Sequence, residues 1–153
     1  MLVNDVIVAS ARGLSHVGEH ALGWLLLGLL GFVASTGQQR RDWARSAGSV
    51  LAAHACAVLI KRLVRRRRPD DPRIRVLVST PSRLSFPSAH VASTTAAAVA
   101  YLPLVPSERW TVTGVAAGMA VSRVVLGVHF PSDVAAGAFL GWAVAVSLRR
   151  YPT

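Results

Sequence analysis

Ser122–Asp133, SRVVLGVHFPSD, sets an arginine, a histidine and an aspartate between the end of one long apolar run and the start of the next. Ionisable side chains at the edge of a membrane segment are costly, and for that reason they are functional candidates. Two further polar clusters, Lys61–Pro69 (KRLVRRRRP) and Ser85–His90 (SFPSAH), also lie at ends of apolar runs. Whether the three clusters meet decides both fold and function, and the order of the apolar runs gives the answer.

Working outward, residues 1–18 read as a short helix with Leu2, Val3, Val6, Ile7 and Leu14 near one face. It is too polar to cross a bilayer and is expected to lie along the interface. Apolar runs at 21–36, 44–60, 89–105, 110–128 and 131–148 are candidate spans. GQQRRD (37–42) reads as a polar turn, and 61–87 as a long polar connection with a short extended piece at Ile74–Val78. The expected fold class is therefore all-α, a single integral membrane helix bundle over 1–153 with about five transmembrane helices plus the N-terminal interfacial helix. Counting crossings from the N-terminus, the end of the second span, the start of the third, the end of the fourth and the start of the fifth fall on one face. That face holds all three polar clusters.

Composition supports a membrane reading. The chain is 52% apolar, yet carries 17 Lys and Arg against 7 Asp and Glu, a net charge of +10. Charges confined to loops reconcile the two. Such a charge attracts anionic lipid or a phosphorylated substrate. Nucleic acid is disfavoured as a partner, because no aromatic residues interleave with the basic ones. Cys56 is the single cysteine, so no internal disulfide and no cysteine-based metal cage is available. It reads as a small core residue. The opening MLVNDVIVAS carries Asp5 and lacks the basic start of a secretory signal.

Each cluster has a chemical reading. Lys61 and Arg68, about two helical turns apart, would face the same way on a continuing helix and clamp a phosphoryl group. The alternative is a positive-inside anchor, which Arg62, Arg65, Arg66 and Arg67 fit well. Ser88 and Ala89 are placed at a helix N-terminus, where free backbone N–H groups bind phosphate. His90 there would protonate a leaving oxygen; the alternative is a serine N-cap followed by an interfacial histidine. Arg123 is a third clamp candidate. His129 and Asp133 stand four apart around Pro131, a helix opener. If helical geometry reaches back to His129, the carboxylate fixes one imidazole nitrogen and leaves the other free to attack. The alternative is an acidic residue at a helix start beside a headgroup histidine.

Lys61-x6-Arg68-Pro69, Pro87-Ser88-x-His90 and Ser122-Arg123-x5-His129-x3-Asp133 together resemble the three-part motif of the type 2 phosphatidic acid phosphatase family. The resemblance implies a helical membrane lipid phosphatase that needs no metal or other cofactor. It implies His129 as the nucleophile that forms a phosphohistidine, Asp133 as its orienting partner and His90 as general acid. Lys61, Arg68, Ser88, Ala89 and Arg123 would hold the phosphate. One departure is Ala89 where the family usually has Gly, which resists a positive φ. ARGLSHVGEHALGW (11–24) and AVLIKRLVRRRRPD (57–70) are similar to small actinobacterial members of the family, which implies a polyprenyl-linked sugar phosphate as substrate. Polyprenyl diphosphate, phosphatidic acid or phosphatidylglycerophosphate are the alternative substrates. The alternative outside enzymology is a membrane protein whose arginines bind anionic lipid.

His16, Glu19 and His20 spell H-x-x-E-H, a zinc pattern of inverted metalloproteases. A zinc site needs a further ligand, and none is well placed downstream, so no metal is expected. The expected location is a cell membrane, crossed several times. Arginines on the active face (12, 62, 65, 66, 67, 73, 75, 83) outnumber those opposite (40, 41, 45, 109, 149, 150), a bias toward a cytoplasmic site. Lipid-linked substrate and membrane lipids are the expected partners; a homo-oligomer or a complex with a pathway enzyme is compatible with the sequence.

Overall fold

The structure, a computed structural model, describes residues 5–17, 21–72, 74, 76–80 and 82–149. Among these residues six α-helices follow one another: α1 (Asp5–Val17), α2 (Leu22–Ala34), α3 (Gly37–Val64), α4 (Ala89–Tyr101), α5 (Arg109–Val125) and α6 (Pro131–Leu148). Among the described residues there is no strand, only one antiparallel bridge between Arg67 and Leu84. Among the described residues the extended piece expected at Ile74–Val78 forms no ladder; the Leu77 N–H donates to the Leu126 carbonyl (3.1 Å), and the Leu77 carbonyl accepts from Arg12 Nε (2.9 Å).

The polar stretch GQQRRD is not a turn. It is the opening of α3, which runs for 28 residues, about 42 Å at 1.5 Å per residue. Polar side chains pair along this turn of helix: Gln38 Nε2 donates to Asp42 Oδ1 (2.8 Å), Arg41 donates to Gln38 Oε1, and Arg45 pairs with Asp42 (3.1 Å). Pairs at i,i+3 and i,i+4 support a helix that hydropathy alone ends too early. The reversal from α2 instead takes place at Ser35 and Thr36, both extended, and at Gly37, whose φ of +54° suits glycine.

α4 is the centre of the bundle and packs mainly against α6 and α3. Its small residues permit this: Ala92, Ser93, Ala96 and Ala97 are fully buried. A polar and aromatic knot closes the far end. Trp24 Nε1 donates to Thr94 Oγ1 (2.9 Å), Tyr101 Oη donates to the Trp24 carbonyl (2.9 Å), and the Trp43 ring packs tilted against that of Tyr101, with centroids 5.3 Å apart. Burial runs the opposite way from that of a soluble domain. Leu22, Leu26, Leu29, Leu30 and Val33 are exposed along α2, while Lys61, Arg123, His129 and Asp133 are buried. Apolar outside and charged inside is the pattern of a membrane protein. α3 and α6 are long and apolar enough to cross a bilayer, and α2 is a shorter apolar helix.

Candidate active site

The end of α3 turns sharply. Arg65 takes a left-handed φ of 54° and its N–H bonds the Lys61 carbonyl (3.1 Å). Lys61 and Arg68 therefore do not share a helical face, as the sequence spacing implied; Arg68 is delivered by a loop. That loop folds back on residues 82–85. Arg68 N–H donates to the Arg83 carbonyl (3.1 Å) and Ser85 N–H to the Arg66 carbonyl (2.8 Å), while Ser85 Oγ bonds the Arg67 carbonyl (3.0 Å). Lys61 Nζ reaches the same segment and donates to the Leu84 and Ser85 carbonyls (3.1 and 3.2 Å).

Arg68 then crosses to the loop between α5 and α6. Its Nε donates to the Ser82 carbonyl (2.9 Å), and its Nη1 donates to the Val128 carbonyl (2.6 Å) and lies 3.1 Å from His129 Nε2. A guanidinium only donates, so Nε2 is the acceptor and the imidazole proton lies on Nδ1. Nδ1 in turn faces Asp133 Oδ2 at 3.6 Å, beyond hydrogen-bonding distance but within the range of an ion pair. Helical geometry does not reach back to His129, because α6 begins at Pro131. The pair still faces because Asp133 caps its own helix: its Oδ2 accepts the Phe130 N–H (2.9 Å). Burial pushes the His129 imidazole down to about 2, and the positive charges of Arg68, Lys61 and Arg123, with His90, push the same way. The resting histidine is thus neutral, with Nε2 unprotonated.

α4 closes the site from the other side. Its first residue is Ala89 and Ser88 precedes it. The Ser88 hydroxyl does not cap the helix. Ser88 holds the N-cap position, but its hydroxyl is buried with no hydrogen-bond partner among the described residues. Ser88 N–H donates to the Asp133 carbonyl (3.0 Å), which fixes the start of α4 against that of α6. Ala89 is helical and absent from the positive-φ residues, so alanine in place of glycine carries no backbone strain here. His90 lies in the first turn, partly buried. Arg123, in the last turn of α5, is buried, and its Nε donates to Ser122 Oγ (3.3 Å).

All eight residues singled out in the sequence thus surround one buried site. Arg66 was missed. Read as a membrane anchor, it instead donates through Nη1 to Asp133 Oδ1 (3.0 Å) and Ser132 Oγ (2.8 Å), and its guanidinium covers the Phe130 ring at 4.1 Å. Its neighbours Arg62, Arg65 and Arg67 are exposed, as an anchor requires. Of the H-x-x-E-H pattern, Glu19 and His20 lie outside the described residues, and so does the His16 side chain.

The chain is similar to several known proteins. The model of the PAP2 superfamily matches residues 42–153. Decaprenylphosphoryl-5-phosphoribose phosphatase of Mycobacterium tuberculosis is 53% identical over 145 residues, covering 90% of this chain and 76% of its own. Its Mycolicibacterium smegmatis counterpart is 51% identical over 133 residues, covering 86% and 71%. A lipid A 1-phosphatase of Rhizobium etli is 37% identical over 101 residues, covering 61% and 44%. Among solved structures, the transmembrane PAP2 type phosphatidylglycerolphosphate phosphatase from Bacillus subtilis shares the fold, with a TM-score of 0.51 at 24% identity over 95% of this chain and 84% of that one.

Proposed function

The chain belongs to the PAP2 superfamily, and from that premise we propose that it is a metal-independent phosphatase that hydrolyses a phosphate monoester on a polyprenyl-linked lipid through a phosphohistidine at His129. The substrate we assign is decaprenylphosphoryl-5-phosphoribose, on the strength of the two mycobacterial relatives named for it. The observation that carries the mechanism is the imidazole itself: neutral, buried, with Nδ1 toward a carboxylate and Nε2 toward a cationic side chain.

In the first step the Nε2 lone pair attacks phosphorus, the phosphorus–ester oxygen bond breaks, and His90 gives its proton to the leaving alkoxide. The imidazole becomes cationic and Asp133 stabilises it. In the second step His90 takes a proton from water, the water oxygen attacks phosphorus, and the phosphorus–nitrogen bond breaks to release phosphate. Arg68, Lys61 and Arg123, with the Ser88 hydroxyl and the Ala89 N–H, neutralise charge on the equatorial oxygens. Three fixed cations supply what a metal would otherwise supply. Five crossings by α2–α6 of the cell membrane, with the site toward the cytoplasm, complete the proposal.

The test is phosphate release by purified protein from a panel: decaprenylphosphoryl-5-phosphoribose, phosphatidic acid, phosphatidylglycerophosphate and a polyprenyl diphosphate, each with and without excess EDTA. The expected result is a preference for the first substrate, full activity in EDTA, and acid-labile, base-stable phosphate trapped on wild type and absent from His129→Ala. Label on another residue, or substantial turnover by His129→Ala, overturns the mechanism. Loss of activity in EDTA restored by zinc overturns metal independence.

A further inference from the structure

Asp133 is fully buried, yet its charge partner among the described residues with direct hydrogen-bonding contact is not the histidine it faces but Arg66. The two carboxylate oxygens are divided. Oδ1 accepts from Arg66 Nη1 at 3.0 Å; Oδ2 accepts the Phe130 N–H at 2.9 Å and faces His129 Nδ1 at 3.6 Å. A buried carboxylate without a partner is costly and would draw its neighbours out of place. Arg66 removes that cost from the side away from the imidazole. The same Nη1 holds Ser132 Oγ (2.8 Å), and the guanidinium lies over the Phe130 ring (4.1 Å), so with Asp133 three contacts clamp the turn that carries the histidine onto α6.

We propose that Arg66 is a positioning residue for this phosphatase: it neutralises Asp133 from behind and fixes the carboxylate so that Oδ2 faces His129 Nδ1. The proposal rests on the phosphohistidine reading above. Arg66 lies between Lys61 and Arg68 in the sequence but does different work, since its contacts are with the carboxylate and the helix start rather than with the attacking nitrogen. Its side chain is 38% exposed against 0% for Asp133, so it sits at the rim of the site with its head turned inward.

The consequence is a position of the acid limb in the pH–rate profile. The charged groups facing the carboxylate are Arg66, Arg68 and His129 from the two loops and Lys61 from α3; Arg123 of α5 and His90 of α4 bear on the imidazole. With Arg66 engaged, Asp133 pairs only partly with the histidine, and the imidazole stays neutral. Without it, Asp133 pairs fully with a protonated imidazole. His129 then takes up a proton at higher pH, and a protonated Nε2 does not attack. The limb moves upward.

The experiment compares wild type, Arg66→Gln, Arg66→Lys, Asp133→Asn, the Arg66→Gln/Asp133→Asn double variant and His129→Ala, as full chains in detergent, on decaprenylphosphoryl-5-phosphoribose and on p-nitrophenyl phosphate. Arg66→Gln is expected to lose about 10- to 100-fold in kcat with KM little changed, and to move the acid limb up by about one pH unit. Arg66→Lys restores the limb, because it keeps the charge, and restores kcat in part, because one ammonium replaces the planar fork. On the Asp133→Asn background, Arg66→Gln has no further effect, since Arg66 acts through that carboxylate. Should Arg66→Gln alone fail to fold, the double variant lacks the uncompensated buried charge and carries the test by this comparison. An unmoved acid limb, or losses in the double variant that multiply, overturns the proposal. If His129→Ala is inactive while Arg66→Gln equals wild type, this proposal fails alone; if His129→Ala turns over, the phosphohistidine reading fails instead.

Discussion

At the scale of single residues, the division of labour follows from which atom faces which. His129 Nε2 accepts from Arg68, and Nδ1 faces Asp133, so in the proposed mechanism attack falls to one nitrogen and charge stabilisation to the other. His90, in the first turn of α4, is assigned the leaving-group proton, and this assignment has a sharp consequence. His90→Ala should slow turnover of an alkyl phosphate by about 10²–10⁴. It should cost far less on p-nitrophenyl phosphate, whose leaving group departs without a proton. His129→Ala should show no such rescue. Equal losses on both substrates, measured as kcat/KM, would remove His90 from the acid role. The His129–Asp133 pair was legible in the sequence because spacing and the Pro131 opener place it, although the cap at Phe130 rather than a continuous helix aligns it. Arg66 was not legible. It is one of four consecutive arginines, and only the backbone pairing of Arg66, Arg67 and Arg68 with residues 83–85 decides which of them point inward.

At the scale of elements, the site exists because α6 approaches α4 closely. A Cβ on Gly137 would sit 2.6 Å from the Ser88 carbonyl oxygen, and one on Gly141 would overlap the Ala92 carbonyl oxygen, so both contacts need glycine. Backbone cannot swing aside as a side chain does. Gly137→Ala should push Ser88 and Ala89 away from Asp133 and His129, and a displacement of about 1 Å in a phosphate cradle costs on the order of 10² in rate. Gly48→Ala, on an exposed face of α3 with open space at its Cβ, should leave activity unchanged. Phosphate release at saturating substrate, with thermal melts in detergent to separate misfolding from misplacement, distinguishes the two. If Gly137→Ala retains wild-type kcat, the close approach is not what sets the cradle. α6 was legible to the residue, since Pro131 opens it. The ends of α3 were not, because intrahelical pairs extend its polar start and a left-handed Arg65 rather than a proline or glycine ends it.

At the scale of the whole molecule, the order of apolar runs predicted that the end of α3, the start of α4, the end of α5 and the start of α6 share one face, and their side chains do meet. The lengths are less regular than that order. α4 has 13 residues and is buried on most sides, short of the roughly 20 that a lipid-facing span needs. In the proposed topology its burial at the centre of the bundle leaves it little lipid to face, and α3 and α6, which are long and apolar enough to cross, face the bilayer instead. Five crossings nevertheless require alternate turns on opposite sides, which labelling can test. In a Cys56→Ser background, single cysteines at Asp70 and Ser132 report the active face, and cysteines at Gln38 and Ser107 report the α2–α3 and α4–α5 turns; all four positions are exposed. A membrane-impermeant maleimide added to intact cells should modify positions 38 and 107 and spare 70 and 132, with the pattern reversed in inside-out vesicles. The exposed Arg62, Arg65 and Arg67 beside the site favour that orientation, because arginine is retained on the cytoplasmic side. Labelling of 70 and 132 from outside would turn the enzyme over in the membrane while keeping its five crossings. Labelling of 38 and 107 from opposite sides would mean that α3 and α4 do not both cross, and would remove the five-span topology itself.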